Sequence, residues 1–193
     1  MNASRWGMFR LLNPPMSRWA RIPVVLSLLL FPGCAWYERA ITPNVPQSLR
    51  PPTDQKFLLR AYAKGVQIYR CEPSPTDPTQ FVWTLKAPEA MLFDEQGIVI
   101  GSHYAGPTWE SAGDHSKVVG TVKERTASPD SGTIPWLLLQ AKSTEGPGLF
   151  QRVTYIQRVN THGGLAPTNS GDRVGQEVRA HYTADYYFYR AKP

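Results

Sequence analysis

The chain has 193 residues, enough for one domain with a real core and a tight fit for two. Its formal charge of +6 misleads, because Arg5, Arg10, Arg18 and Arg21 precede residue 34 with no acid among them, and the remainder of the chain carries 17 Lys and Arg against 15 Asp and Glu. The balance of +2 after Cys34 is spread along the chain, which excludes the clustered cations of a nucleic-acid face.

Residues 1–34 read as a signal peptide. Arg18 and Arg21 supply the positive stretch, Ile22 to Phe31 the apolar core, and Met16 a second start that gives a leader of ordinary proportions. The apolar run is about half of the roughly 20 residues that a membrane-spanning helix needs. Leu30-Phe31-Pro32-Gly33-Cys34 resembles a bacterial lipobox, in which the cysteine takes a diacylglycerol and becomes the mature N-terminus. Gly33 fits the small residue before the cysteine, whereas Phe31 and Pro32 depart from the pattern. Cleavage after Ala35, with secretion, is the alternative. The expected localisation is thus the bacterial envelope. Lipid on Cys34 would be the link to the membrane, and Ala35 in place of Asp favours the outer membrane facing the periplasm.

Residues 35–56 hold Pro43, Pro46, Pro51 and Pro52 among polar residues and suit an extended linker. From residue 57 to 193 the pattern changes to short runs of period two. Only Gln55 to Lys64 leans towards helix. Strands are expected around Val66–Cys71, Phe81–Leu85, Met91–Phe93, Ile98–Ile100, Val118–Val122, Ile134–Gln140, Leu149–Val159 and Glu177–Tyr189. Gly, Pro, Asn and Asp punctuate them. The fold class is mostly β, a single antiparallel β-sandwich or barrel-like domain. In the last strand Val178, Ala180, Tyr182, Ala184, Tyr186 and Phe188 form a core face. The opposite face, with Arg179, His181, Thr183, Asp185, Tyr187 and Tyr189, is amphipathic enough to line a groove.

Several segments occur in a recognisable order: Gly65-Val66-Gln67-Ile68-Tyr69-Arg70-Cys71, Ala87-Pro88-Glu89-Ala90, Gly101-Ser102-His103-Tyr104-Ala105-Gly106-Pro107-Thr108-Trp109, Ile134-Pro135-Trp136, Thr161-His162-Gly163-Gly164 and Tyr182-Thr183-Ala184-Asp185-Tyr186-Tyr187-Phe188-Tyr189. Together they resemble the DUF3455 family over roughly residues 45 to 189. The resemblance implies a secreted, largely β domain of bacteria and fungi with no established activity. It also implies, in many members, a second cysteine shortly after the position of Ala166-Pro167 that could pair with the one at the position of Cys71. Here Thr168-Asn169-Ser170-Gly171-Asp172 has none, so Cys71 is expected to be a free, buried thiol.

The densest functional vocabulary lies from His103 to Asp114. His103, Asp114 and His115 could serve a metal only if the fold made them converge, and nothing in their spacing forces that, so no metal or cofactor is assigned. Gly106-Pro107 is expected to turn the chain, Trp109 to pack at the core edge and Asp114 to accept backbone hydrogen bonds. There is no G-x-S-x-G elbow, P-loop or G-x-G-x-x-G. The aromatic content is the better lead, since rings with polar tips suit a glycan or small apolar ligand in a β groove. The candidate ligand-binding residues are His103, Tyr104, Trp109, Asp114, Trp136, Arg158, Asp185 and Tyr187. A binding or structural β domain is the expected function. The alternative is a secreted hydrolase or other enzyme centred on His103 and a carboxylate.

Overall fold

The computed structural model describes residues 42–193, so the leader, Met16, Cys34 and Ala35 lie outside the described residues. Eight strands succeed one another: β1 (Gln55–Pro73), β2 (Phe81–Phe93), β3 (Val99–Tyr104), β4 (Thr108–Ser111), β5 (Lys117–Thr126), β6 (Trp136–Glu145), β7 (Tyr155–Gly163) and β8 (Glu177–Ala191). Each pairs antiparallel with the next, and β8 returns to pair with β1, so one meandering sheet closes in a ring rather than stacking as a sandwich. Register shifts interrupt the ladders of β1 with β2 and β8, of β2 with β3, of β5 with β6 and of β7 with β8, so the ring departs from a regular barrel. At eight strands the interior is just wide enough to be filled by side chains or to hold one small ligand.

Gln55–Lys64 is strand, not helix. Its residues are good helix formers singly, but β1 gains a ladder along β8 from Gln55 to Arg70 and another along β2 from Tyr62 to Pro73. That pairing outweighs a propensity worth tenths of a kcal/mol per residue. The small Ala61 and Ala63 face inward because their β8 partners, Tyr186 and Ala184, stand among large rings. Tyr182, Ala184, Tyr186 and Phe188 are buried in the main cluster, as the alternation on β8 requires. The runs Phe81–Leu85 and Met91–Phe93 are a single strand through Pro88. Pro88 is tolerated because the β2–β3 ladder begins only at Ala90, leaving the earlier half of β2 unpaired on that side.

The proline-rich segment does more than extend. Val45 and Leu49 are buried against Leu138, Val159, Tyr187 and Tyr189 on the outside of the ring, with a short 3₁₀ turn over Gln47–Leu49. Buried Gln157 fixes the turn by donating from Nε2 to the Leu49 carbonyl at 2.6 Å, and accepts from the Tyr189 hydroxyl. Cys71 is a free, fully buried thiol, with Gly171 laid directly on it.

Candidate functional site

Directly opposed residues on neighbouring strands share a face, so the ladders show who meets inside. Ala90 on β2 opposes His103 on β3, which opposes Trp109 on β4. Across the ring Leu137 on β6 opposes Arg158 on β7, which opposes Tyr186 on β8 and then Ala61 on β1. His103, Trp109, Arg158 and Tyr186 therefore all point into the interior. There they line a cavity of about 240 Å³, together with Gln67.

The mouth is set by the gap in the sheet. Leu85, Lys86, Ala87 and Pro88, on the half of β2 that β3 does not pair, form one lip. The β3–β4 turn at Ala105, Gly106 and Pro107, with Val122 and Arg125 of β5, forms the other. Gly106-Pro107 does make the expected turn, through a cis peptide. Leu85 and Val122 expose apolar surface at the rim.

The His103 and Trp109 rings stack at 4.4 Å between centroids and 11° between planes, and Tyr186 meets both edge-on at 5.1 and 5.4 Å. Trp109 is 1 % exposed, a core residue rather than one at the core edge. It can lie flat because Gly120 is beneath it, where an added Cβ would come within 3.0 Å of the indole. His103 Nδ1 lies 2.8 Å from the Thr108 carbonyl, which can only accept, so Nδ1 carries the proton and Nε2 is left as an acceptor. Burial pushes the imidazole pKa down to about 3 against the pull of that hydrogen bond, and Arg158 lowers it further, so the ring is neutral at ordinary pH.

Arg158 is the buried cation of the interior. Its Nε and Nη2 both donate to the Pro135 carbonyl, and it takes no carboxylate partner among the described residues. In the cavity lining Gln67 Nε2 and Trp109 Nε1 are buried without a hydrogen-bond partner among the described residues, and the Tyr186 hydroxyl, beside Arg158 and the Tyr182 hydroxyl, finds no well-formed bond there. Burial raises the pKa of both tyrosines, and Arg158 opposes that rise. A buried polar atom without a partner costs about 1–3 kcal/mol, so several around one cavity is an arrangement that an occupant would relieve.

The other residues singled out from the sequence lie elsewhere. Tyr104, next to His103 but on the opposite face, donates to Glu110 at 2.6 Å, a bond that raises its pKa to about 12 and lowers that of Glu110. Asp114 holds a turn as expected: Oδ1 accepts from the Ser116 hydroxyl and backbone N–H, and Oδ2 from the Leu149 N–H. Those bonds, the Ser116 hydroxyl first, hold its carboxyl far below the usual range. Asp185 is on the outer face, paired to Arg60 at 2.7 Å and accepting from Asn160 at 2.8 Å. Tyr187 and Trp136 belong to the outer cluster capped by Val45 and Leu49, so the polar face of β8 is covered at its C-terminal end, while Arg179, His181 and Thr183 on the same face stay exposed, and the cavity uses the apolar face. His103, Asp114 and Asp185 thus do not converge. No group of three or more His, Cys, Asp or Glu side chains is arranged to hold a metal among the described residues.

Gln67 and Tyr186 are the site residues that sequence reasoning missed. The signal for them was strand parity, since Gln67 shares the inward face of β1 with Ala61 and Ala63, but only closure of the ring shows that this face surrounds a cavity.

Fold and site define the class: a closed antiparallel β domain with a small, polar-lined cavity opening through a break in its sheet. The sequence model of the family described as "Protein of unknown function (DUF3455)" matches residues 52–190, and the chain belongs to that family. No curated protein matches, and no solved structure matches.

Proposed function

We propose that this chain is a ligand-binding β domain of the bacterial envelope, exported by its leader and held to the membrane by lipid on Cys34. What supports the binding reading is one observation: polar groups of Gln67, Trp109 and Tyr186 line the cavity with no hydrogen-bond partner among the described residues, beside a cation that no carboxylate among them neutralises. A purely structural core would favour apolar replacements at these positions. What supports export and attachment is the short apolar core followed by Gly33-Cys34 and a proline-rich segment. A hydrolase centred on His103 is disfavoured because Nδ1 of the neutral ring is held by the Thr108 carbonyl and not by a carboxylate.

The test is a small-molecule screen on the full-length protein in detergent, read by thermal stabilisation, with Gln67→Leu as the control. The expected result is a set of compounds that raise the melting temperature of the parent and not of the control. Identical responses in both proteins would refute binding in this cavity.

A further inference from the structure

The cavity's chemistry is lopsided. Gln67 Nε2 and Trp109 Nε1 are donors, and the Tyr186 hydroxyl has no acceptor among the described residues. Arg158 directs Nε and Nη2 to one carbonyl and faces the Tyr186 hydroxyl, with no carboxylate partner among the described residues. Against these stand two acceptors, the Gln67 Oε1 of the same amide and His103 Nε2, which stays unprotonated because burial keeps the ring neutral. The charged groups at the mouth are also basic. Arg125 is exposed there and forms no ion pair among the described residues, while Lys86 is paired with Glu177 at 2.7 Å.

Water could satisfy the donors, but it would leave the Arg158 charge buried without a counter-charge, a state that costs several kcal/mol where the medium is poorly polarisable. A bound anion removes that cost and takes up the free donors at once. The walls set the other half of the ligand. Pro88, Pro107, Leu137 and Leu139 surround the polar groups, and Leu85 and Val122 expose apolar surface at the rim. Inorganic anions would leave that surface unused. As for size, benzene occupies an apolar cavity of about 150 Å³, so 240 Å³ accommodates one ring plus a carboxylate.

Resting on the binding function argued above, we infer that the occupant is a small organic carboxylate with an apolar or aromatic body, its charged end on Arg158 and its body against the Trp109–Leu137–Leu139 wall. Arg158 then acts through charge and Gln67, Trp109 and Tyr186 through hydrogen bonds to the same two oxygens. His103 Nε2 accepts from any hydroxyl the body carries.

The test titrates the full-length protein in detergent with benzoate, its neutral isostere benzamide, and inorganic phosphate, read by calorimetry and tryptophan fluorescence. Benzoate is expected to bind at least tenfold more tightly than benzamide or phosphate. Arg158→Met is expected to weaken benzoate by roughly 10- to 100-fold, the range of hydrogen bonds to charged groups, while leaving benzamide unchanged. Arg158→Lys keeps the charge without the planar fork and should fall between, and Gln67→Leu tests the cavity if the Met variant does not fold. Benzamide binding as tightly as benzoate would overturn the anion assignment and leave the binding function standing. Phosphate binding as tightly would overturn the apolar-body part. Failure of all three to bind would overturn this assignment, while the binding function itself stands or falls with the compound screen on the parent and Gln67→Leu.

Discussion

His103 offers a quantitative handle on the interior. Its folded pKa, pushed down to about 3 by burial, lies below the unfolded value near 6.5. The unfolded chain therefore binds one more proton than the native chain wherever the pH lies between these values. Stability from this residue is complete above about pH 6.5 and is lost as pH falls towards 3, at about 1.4 kcal/mol per pH unit. From pH 7 to pH 5 the loss comes to about 2 kcal/mol. His103→Asn keeps a side-chain N–H near Nδ1 for the Thr108 carbonyl but has nothing to titrate. Urea denaturation of both proteins at pH 7 and pH 5 should give a parent that weakens by about 2 kcal/mol more than the variant over that interval. Because only the difference between two pH values is compared, any overall loss from removing the stacked ring cancels. Equal pH dependence of parent and variant would refute the neutral, buried imidazole.

Packing and sequence lead to three further outcomes. Leu49→Ala empties a fully buried position between the N-terminal turn and the outer face of β6–β8, and should cost about 3 kcal/mol in chemical denaturation. Gly171→Ala would place a methyl within 2.8 Å of Cys71 Cβ and against its sulfur, so it should destabilise. Cys71→Ala in the same chain should recover part of the loss, and a double-mutant cycle showing no coupling would contradict that contact. Metabolic labelling with a palmitate analogue should mark the parent and not Cys34→Ser; undiminished labelling of the variant would dispose of the lipid anchor.

Much of the fold is legible in the sequence because strand periodicity is local. The inward alternation of Tyr182, Ala184, Tyr186 and Phe188 can be read directly from β8, and Asp114 as a turn acceptor from its Gly-Asp setting. Three features cannot. Gln55–Lys64 carries helix-forming residues whose strand state is decided by two ladders to distant segments. Leu149–Val153 reads as an extension of β7, yet β7 begins at Tyr155, and Phe150 and Val153 are buried from a loop. Thr108–Ser111 is too short to announce itself, and becomes β4 because His103 and Val118 flank it across space.

The site is half legible for a related reason. His103, Trp109 and Arg158 stand out by residue type, and parity puts all three inside the ring. Tyr104, Asp185 and Tyr187 stand out by the same criterion, yet each is the immediate chain neighbour of an inward residue and so faces outward. Gln67 and Tyr186 escape notice because a glutamine and a tyrosine in a strand are unexceptional until closure leaves their polar atoms without partners.

The most direct examination of the cavity is the indole N–H resonance of Trp109 in tryptophan-labelled protein, assigned with Trp109→Phe, during titration with benzoate. A ligand that satisfies Trp109 Nε1 moves this signal saturably in the parent, and in Arg158→Met only at roughly 10- to 100-fold higher benzoate. Were the Trp109 resonance to stay fixed while benzoate shifts other indoles of the chain, the ligand would bind elsewhere and the cavity would have no part in it.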